Sequence, residues 1–176
     1  MNGIILYQSK YGATKKYADW LSEATGFPAQ DIRRAKASDL RGYDLFLVGG
    51  GIYASGIAGL SFLKKNPDIW KGKRVLVFCV GASPYDENAF AQIVRRNLTG
   101  DLTGLPCFYC RGAYDMARMH VVDRTLCGLL RKAVQKKAPE EYEPWEQALV
   151  EAGDSPCDWT DKAYLQPLLA QLSQPG

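Results

Sequence analysis

The residues whose types and spacing point most clearly to chemistry form a short turn near the start of the chain, at positions 9–14. The turn holds two small hydroxyl side chains, a cation and a glycine, in the order Ser9, Lys10, Tyr11, Gly12, Ala13 and Thr14. An apolar run at residues 4–7 precedes it, and helical spacing begins at Thr14. A turn between a buried strand and the amino end of a helix presents unpaired N–H groups and the positive end of the helix dipole. The sequence therefore predicts an anion site, suited to a phosphate.

The elements that position this turn alternate between strands and helices. Apolar runs predict strands at about residues 4–7, 29–33, 45–48, 75–80 and 105–110, and helical spacing separates them, as at residues 17–24, 57–65 and 90–94. This alternation predicts an α/β fold with a doubly wound, five-stranded parallel sheet and helices on both faces. A length of 176 residues fits a single domain, 1–176, with an extended helical region from about residue 115.

Three further turns follow the third, fourth and fifth predicted strands, at residues 49–55, 81–85 and 111–115. The first two are rich in small residues and include Tyr53 and Tyr85, whose rings can cover a flat ligand. Ligands of doubly wound sheets bind outside the carboxyl ends of the strands, so these turns and residues 9–14 form the predicted site. The alternative at each turn is that glycine only supplies an unusual backbone angle.

Composition and the other motifs exclude several classes of protein. No apolar run approaches the roughly 20 residues that cross a bilayer, and no charged leader precedes an apolar stretch, so a cytoplasmic protein is expected. Cys107 and Cys110 match CxxC, but residues three apart on a strand point to opposite faces, so both are predicted to be core thiols. The single histidine, His120, has no His or Cys neighbour, so no metal site is expected. Dinucleotide and Walker glycine motifs are absent, and no nucleic-acid partner is expected.

Residues 9–14, set after an apolar strand, resemble the phosphate loop of the flavodoxin family. Residues 48–53, 111–114 and 158–161 are similar to the branch that includes the flavodoxin-like protoporphyrinogen oxidases. The resemblance covers most of the chain and implies the strand order 2-1-3-4-5, with FMN at the switch point of the sheet. Flavodoxins usually have Thr where this chain has Tyr11 and Asn where it has Ala13, so two side-chain donors to the phosphate are missing. Backbone N–H groups are implied to compensate.

The resemblance implies a full set of cofactor-binding residues. The phosphate is expected at residues 9–14, with the Lys10 ammonium either on the phosphate or in solvent. The isoalloxazine ring is expected between the turns after the third and fourth strands, where Tyr53 and Tyr85 are the stacking candidates. The implied FMN-binding residues are Ser9, Lys10, Tyr11, Gly12, Ala13, Thr14, Gly50, Gly51, Ile52, Tyr53, Gly81, Ala82, Ser83, Pro84 and Tyr85.

The resemblance also implies redox chemistry carried by the flavin, with side chains that position and tune it. The first hypothesis is an oxidoreductase similar to protoporphyrinogen oxidase, which passes electrons from a reduced organic substrate to a quinone or another acceptor. Arg111 and Arg118 are its candidate partners for substrate carboxylates. One alternative is an electron carrier for partner proteins, which the basic character of residues 1–137 disfavours. Another is a structural or regulatory protein without flavin, which Tyr11 and Ala13 keep open. The sequence does not fix the oligomeric state.

A basic amphipathic helix follows the fifth predicted strand. Between residues 119 and 134, apolar side chains recur at steps of three and four and predict about five turns, with Arg and Lys on the other face. Such a helix can rest on an anionic membrane, which suits an oxidase that reduces a membrane quinone. Alternatively it packs on the sheet as the fifth crossover. The sequence leaves both placements open.

Charge is divided unevenly along the chain. Residues 1–137 hold 21 Lys and Arg against 11 Asp and Glu, whereas residues 138–176 hold 1 against 8. The acidic tail either steers a charged partner or folds back onto the basic body. The tail is a polar stretch at residues 139–156 and a final helix from near Thr160, and it is expected to form a lid or a partner surface.

Overall fold

The structure is a computed structural model that describes residues 2–153 and 155–174. Parallel strands run in the order β2-β1-β3-β5-β6, and β4 pairs antiparallel with the end of β3. The strands of this sheet are β1 (Gly3–Gln8), β2 (Ala29–Asp31), β3 (Leu45–Tyr53), β4 (Gly56–Ile57), β5 (Arg74–Gly81) and β6 (Cys107–Arg111). A separate ribbon joins β7 (Ala113–Tyr114) to β8 (Cys157–Asp158). The short β4 aside, this is the predicted order of five parallel strands, so the predicted fold class is confirmed.

Helices cover both faces of the sheet. They are α1 (Ala13–Thr25), α2 (Leu60–Lys65), α3 (Glu87–Asn97), α4 (Val121–Val134), α5 (Pro144–Ala152) and α6 (Gln166–Ser173). On one face, side chains of α2 and α3, such as Leu63 and Ile93, pack on β1, β3 and β5. On the other face, Tyr17 and Leu21 of α1 and Leu168 of α6 pack on the same strands. The inner strands are thus buried on both faces, which explains their unbroken apolar runs.

Three predicted helix boundaries are wrong. The helix predicted over residues 57–65 begins at Leu60, because Ile57 pairs with Ile52 in β4. The helix predicted from near Thr160 begins at Gln166, after a 3-10 turn at Lys162–Leu165. The helix predicted over about five turns is α4, which has 14 residues and therefore about four turns. His120, predicted on that helix, is its N-cap residue.

The polar stretch predicted at residues 139–156 contains a helix, α5. Glu143 and Glu146 form a capping box at its amino end, and Pro144 is its first residue. Such caps satisfy the first N–H groups of a helix and stabilise even a short one.

The helix that completes the covering of the sheet is α6, and α4 lies away from it. In α4, all of whose residues are described, Val134 is the one buried side chain, while Val121 is 75% exposed and Leu129 60%. Leu168 of α6 is fully buried against the sheet. Of the two predicted placements for the basic amphipathic helix, the fifth crossover on the sheet is therefore not the one observed.

The predicted CxxC pair divides between the two faces of the sheet. Cys110 is buried in the cluster under α1 and α6, whereas Cys107 is half-buried against the opposite cluster. The prediction of opposite faces is confirmed.

Within residues 2–153 and 155–174, every helix is too short or too polar to cross a membrane.

Candidate functional site

A cavity of about 430 Å³ opens at the carboxyl ends of β1, β3, β5 and β6. This is the edge at which doubly wound sheets bind ligands, and ligand pockets typically measure roughly 300–1,000 Å³. The turns after these strands form one side of the cavity, and α4 forms the other. The structure brings nine of the predicted cofactor-binding residues together in its lining: Ser9, Tyr11, Ala13, Thr14, Gly51, Ile52, Tyr53, Gly81 and Ala82.

The predicted phosphate turn ends at the uncapped amino terminus of α1. Gly12 is the N-cap residue, with a φ of 102°, and no side chain caps the helix. The Gly12 N–H donates to Ser9 Oγ at 3.0 Å, which closes the turn. Thr14 is 2% exposed and lines the cavity. The first N–H groups of a helix have no acceptor within the helix, so this end of the cavity favours an anion.

Lys10 pairs with a carboxylate of the protein itself. Its ammonium pairs with the carboxylate of Asp123 on α4 and lies 5.5 Å and 5.7 Å from the ring centres of Tyr11 and Tyr53. The Asp123 carboxylate raises the pKa of Lys10, and Lys10 in turn lowers the pKa of Asp123. The Lys10 backbone N–H donates to the Tyr53 hydroxyl at 3.3 Å. Lys10 thus connects three parts of the cavity wall without lining it.

Tyr11 also points to α4. Its hydroxyl donates to the Asp123 carboxylate, and its ring lies edge-on to Tyr53 at 6.4 Å between centres and 6.1 Å from His120. Burial, followed by the hydrogen bond to Asp123, raises the pKa of Tyr11.

The glycines at the end of β3 permit close packing. A Cβ on Gly50 would lie 1.9 Å from the Ala58 carbonyl oxygen, and one on Gly51 would lie 2.6 Å from the Tyr53 hydroxyl. Gly50 faces this contact and is not part of the lining, whereas Gly51, Ile52 and the 38% exposed Tyr53 are.

The end of β5 and the turn after it contribute one residue each from the predicted segment 81–85 to the cavity. Gly81 and Ala82 line it, whereas Ser83, Pro84 and Tyr85 do not. The ring of Tyr85 is 55% exposed and lies 5.7 Å from Phe90 and 5.8 Å from Tyr109. The Tyr109 hydroxyl donates to the Ser83 carbonyl at 2.5 Å and holds this part of the turn away from the cavity.

The two candidate substrate-binding arginines lie near the cavity and not in its lining. The Arg111 guanidinium stacks on Trp159 at 4.3 Å and donates through Nε to the Ala82 carbonyl at 3.3 Å. Arg118 is exposed in the short turn Met116–Arg118 that leads to α4.

Sequence reasoning missed the contribution of α4 to the cavity. The missed lining residues are Met119, Asp123, Leu126, Cys127 and Leu130. One signal was available for Asp123, because it is the one acidic residue among residues 116–139, a stretch otherwise rich in cations. Among the residues that the structure describes, no three His, Cys, Asp or Glu side chains are grouped to hold a metal ion.

The sequence model of one protein family, described as the flavodoxin domain, matches residues 4–141. The chain belongs to the flavodoxin domain family. The match spans the parallel sheet from its second residue, Ile4, together with the predicted phosphate turn and α4. No curated protein sequence matches this flavodoxin domain.

Many solved structures match this flavodoxin domain. A flavodoxin from the domain Archaea is 18% identical, with a TM-score of 0.45, and the match covers 63% of this chain and 82% of that one. A WrbA-like flavodoxin from Agrobacterium tumefaciens is 18% identical, with a TM-score of 0.44 and coverages of 70% and 87%. A Lactobacillus acidophilus flavoprotein in complex with FMN is 17% identical, with a TM-score of 0.45 and coverages of 62% and 91%. The family assignment rests on the sequence match.

Proposed function

We propose that this flavodoxin domain binds FMN non-covalently, with the phosphate at residues 9–14. The observation that carries the proposal is the uncapped amino end of α1, which meets a cavity of about 430 Å³ at the carboxyl edge of the sheet. The phosphate would act as the missing cap. Because the N–H groups of Lys10 and Gly12 already donate within the protein, those of Ala13 and Thr14 and the hydroxyls of Ser9 and Thr14 matter most.

The flat ring of FMN would lie between the turns after β3 and β5. The support for this is that Ile52 and Tyr53, at the end of β3, line the same cavity as Gly81 and Ala82, at the end of β5 and the start of its turn. Tyr53 is the proposed stacking side chain. The outer border of the ring site would be formed by Gly50, Ser83, Pro84 and Tyr85.

Bound FMN supplies reversible electron acceptance, and the protein then has to orient the ring and limit its contact with water. Met119, Leu126 and Leu130 of α4 give the cavity an apolar wall opposite the turns. The apolar part of a large substrate would pack on this wall. Its acidic groups would need cations at the rim of the cavity. Arg111 and Arg118 are the proposed partners of those groups. These features favour an oxidoreductase similar to protoporphyrinogen oxidase, with a quinone as the proposed acceptor.

We further propose peripheral contact of α4 with an anionic membrane. Leu126 and Leu130 lie both at the cavity and at the surface, and Leu129 and Val122 continue the apolar stripe outward. Exposed Lys132 and cations around it flank the stripe. Apolar side chains flanked by cations suit an anionic bilayer surface, and a membrane quinone would then meet the cavity beside α4.

The first experiment tests the cofactor. When purified protein is titrated with FMN, flavin fluorescence is expected to be quenched and the flavin absorption spectrum to shift. The melting temperature of the protein is expected to rise, because a ligand that binds only the folded state stabilises it. If none of these signals appears, the FMN proposal fails and the flavin-free alternative takes its place.

A second experiment separates the enzyme from the carrier. The FMN-loaded protein is expected to oxidise protoporphyrinogen with a quinone as acceptor. Rapid reduction by a ferredoxin reductase, together with no oxidation of protoporphyrinogen, would instead establish an electron carrier.

A further inference from the structure

A single carboxylate ties α4 to the phosphate turn. Asp123, in the first turn of α4, accepts a hydrogen bond from the Tyr11 hydroxyl and forms an ion pair with the Lys10 ammonium. Both donors belong to residues 9–14, and Asp123 itself lines the cavity. The helix is thus linked to the opposite wall at the end of the cavity where the phosphate is proposed to bind.

The packing of α4 makes this link important for its position. Val134, the one buried side chain of the helix, lies at its far end, whereas the first turn exposes Val121 and Val122. Arg124 in that turn donates to nearby carbonyls, those of Met116, Ala117 and Met119. Among the described residues, the hydrogen bond and the ion pair of Asp123 and the ring contact of His120 with Tyr11 join this end of α4 to the phosphate turn.

We infer that Asp123 is a positioning residue of the cavity, which holds α4 closed over the phosphate turn through Lys10 and Tyr11 and thereby slows the exchange of FMN. The FMN part of this inference rests on the proposed function, whereas the position of α4 does not. The role of Tyr11 is then to hold α4 through Asp123, instead of the phosphate contact that its position in the turn suggested. Its longer side chain reaches across the cavity, which a Thr at this position does not.

Cys127 reports the position of α4 without any ligand. It lines the cavity, and burial, followed by the Asp123 charge, raises the pKa of its thiol. Removing that charge by itself frees more thiolate, so the alkylation rates compared below are rates per thiolate, obtained from the pH dependence of alkylation by iodoacetamide in each variant. A closed α4 is expected to slow this rate. Alkylation of the peptide that contains Cys127 is measured by mass spectrometry. Asp123→Ala is expected to speed it by roughly tenfold, because the loss of hydrogen bonds to a charged group has an effect of about this size. Asp101→Ala is the matched control, because it removes a surface pair with Lys71, 2.8 Å long, at the opposite end of the sheet.

A double-mutant cycle separates positioning from general destabilisation. If Tyr11→Phe and Asp123→Ala act through one contact, the double variant alkylates no faster than Asp123→Ala alone. Asp123→Asn retains an oxygen that can accept from Tyr11 but loses the charge that pairs with Lys10, so its rate is expected to lie between those of the wild type and Asp123→Ala. The release of FMN from loaded protein, measured by the recovery of flavin fluorescence, is expected to follow the same order.

Two results would overturn the inference. One is a Cys127 alkylation rate that is the same in the wild type, Asp123→Asn and Asp123→Ala. The other is slower FMN release from Asp123→Ala, which would show that the carboxylate competes with the phosphate. If the wild type binds no FMN, the proposed function fails, and alkylation of the FMN-free variants still decides whether Asp123 positions α4.

Discussion

Lys10 and Tyr11 show how far a side chain's partner can lie from it in the sequence. Tyr11 and Asp123 are separated by 112 positions, and no local pattern connects them. The types of residue in the phosphate turn indicated an anion site, and two of its side chains meet a carboxylate that belongs to the protein itself. The backbone of the turn and the small hydroxyls of Ser9 and Thr14 therefore remain as the proposed phosphate contacts.

Gly12 allows a test of the turn with a closely matched control. Gly12 and Gly72 both have positive φ angles, 102° and 76°, and both have open space where a Cβ would be added. Changing either to Ala should lower the free energy of unfolding by about 1 kcal/mol, through backbone strain alone. Only Gly12→Ala is expected to weaken FMN binding as well, by roughly tenfold, measured by fluorescence titration. Equal affinities in the two variants would place the phosphate elsewhere.

The Thr14 hydroxyl offers a second test at the residue scale. Thr14→Ala removes a proposed hydrogen bond to a charged phosphate, which contributes about 1.5–3 kcal/mol, so the Kd for FMN should rise by roughly tenfold or more. Tyr85→Ala should change it less, because Tyr85 packs on Phe90 and Tyr109 outside the cavity. Equal losses in a calorimetric titration would mean that the phosphate site is misplaced.

At the scale of elements, α4 and α6 have similar apolar patterns and different environments. Both have helical spacing of Leu residues, yet Leu168 is buried against the sheet while Leu129 is 60% exposed. Periodicity identifies the apolar side of a helix and does not identify what covers it. The sequence therefore predicted that both helices exist. Which of them covers the sheet after the last parallel strand was decided by the tertiary structure.

A pair of Leu→Ala variants tests this difference. Leu168→Ala should lower the free energy of unfolding by about 2–5 kcal/mol, because it opens a cavity in the core. Leu129→Ala should change it by no more than about 0.5 kcal/mol, as is usual at exposed positions. Urea denaturation followed by circular dichroism measures both. A large loss with Leu129→Ala would show that α4 packs on the protein more closely than its exposure indicates.

The return of the tail to the body has a pH signature. Asp158 in β8 accepts from Thr160 and from the Lys16 ammonium at 2.9 Å, and these contacts, Thr160 first, lower its pKa to about 2. A carboxyl whose pKa is lower in the folded state stabilises the fold above its unfolded pKa of about 4, and the contribution is lost as the pH falls towards 2. Asp158→Asn should therefore be less stable than the wild type at pH 7, with the gap narrowing below pH of about 4.

The size of this effect is limited by solvent. The Asp158 side chain is 57% exposed, so the difference at pH 7 should be below about 1 kcal/mol. Urea denaturation at neutral and acid pH measures it, with Asp68→Asn, on the opposite side of the sheet, as a control. A difference that is the same at every pH would mean that the charge of Asp158 contributes nothing.

On the scale of the whole molecule, the division of charge along the sequence is partly neutralised by folding. The tail carboxylates Asp158 and Glu146 pair with Lys16 and Lys137, at 2.9 Å and 2.6 Å. Of the two alternatives for the acidic tail, these pairs favour the one in which it folds back onto the basic body. Lys132 and Lys136 of the basic segment remain at the surface beside exposed Leu129.

This arrangement predicts binding to anionic vesicles. The protein should sediment with vesicles that contain phosphatidylglycerol and not with pure phosphatidylcholine, and high salt should release it. Lys132→Glu should weaken binding by at least roughly fivefold, because each cation near such a surface contributes about 1 kcal/mol. Leu129→Asp should weaken it as well, whereas Lys71→Glu, in a surface turn at the far end of the sheet, should not. Equal sedimentation with neutral vesicles, or none at all, would contradict the membrane proposal.

The sequence by itself determined the alternating strands and helices of a parallel sheet and the turn at residues 9–14, whereas the strand order was implied by the family resemblance. Strands buried on both faces must be apolar throughout, and a turn that begins a helix has a local signature, so neighbouring residues carry this information. It also identified the family through a resemblance that the family match confirms.

The tertiary structure alone decided which surfaces meet. It selected α6 to cover the sheet, brought Asp123 to Lys10 and Tyr11, and turned Tyr53 towards the cavity while Tyr85 packs on Phe90. Each of these outcomes depends on residues that lie far apart in the sequence. They are set by the shape and packing of the whole molecule, which the local pattern of side chains does not contain.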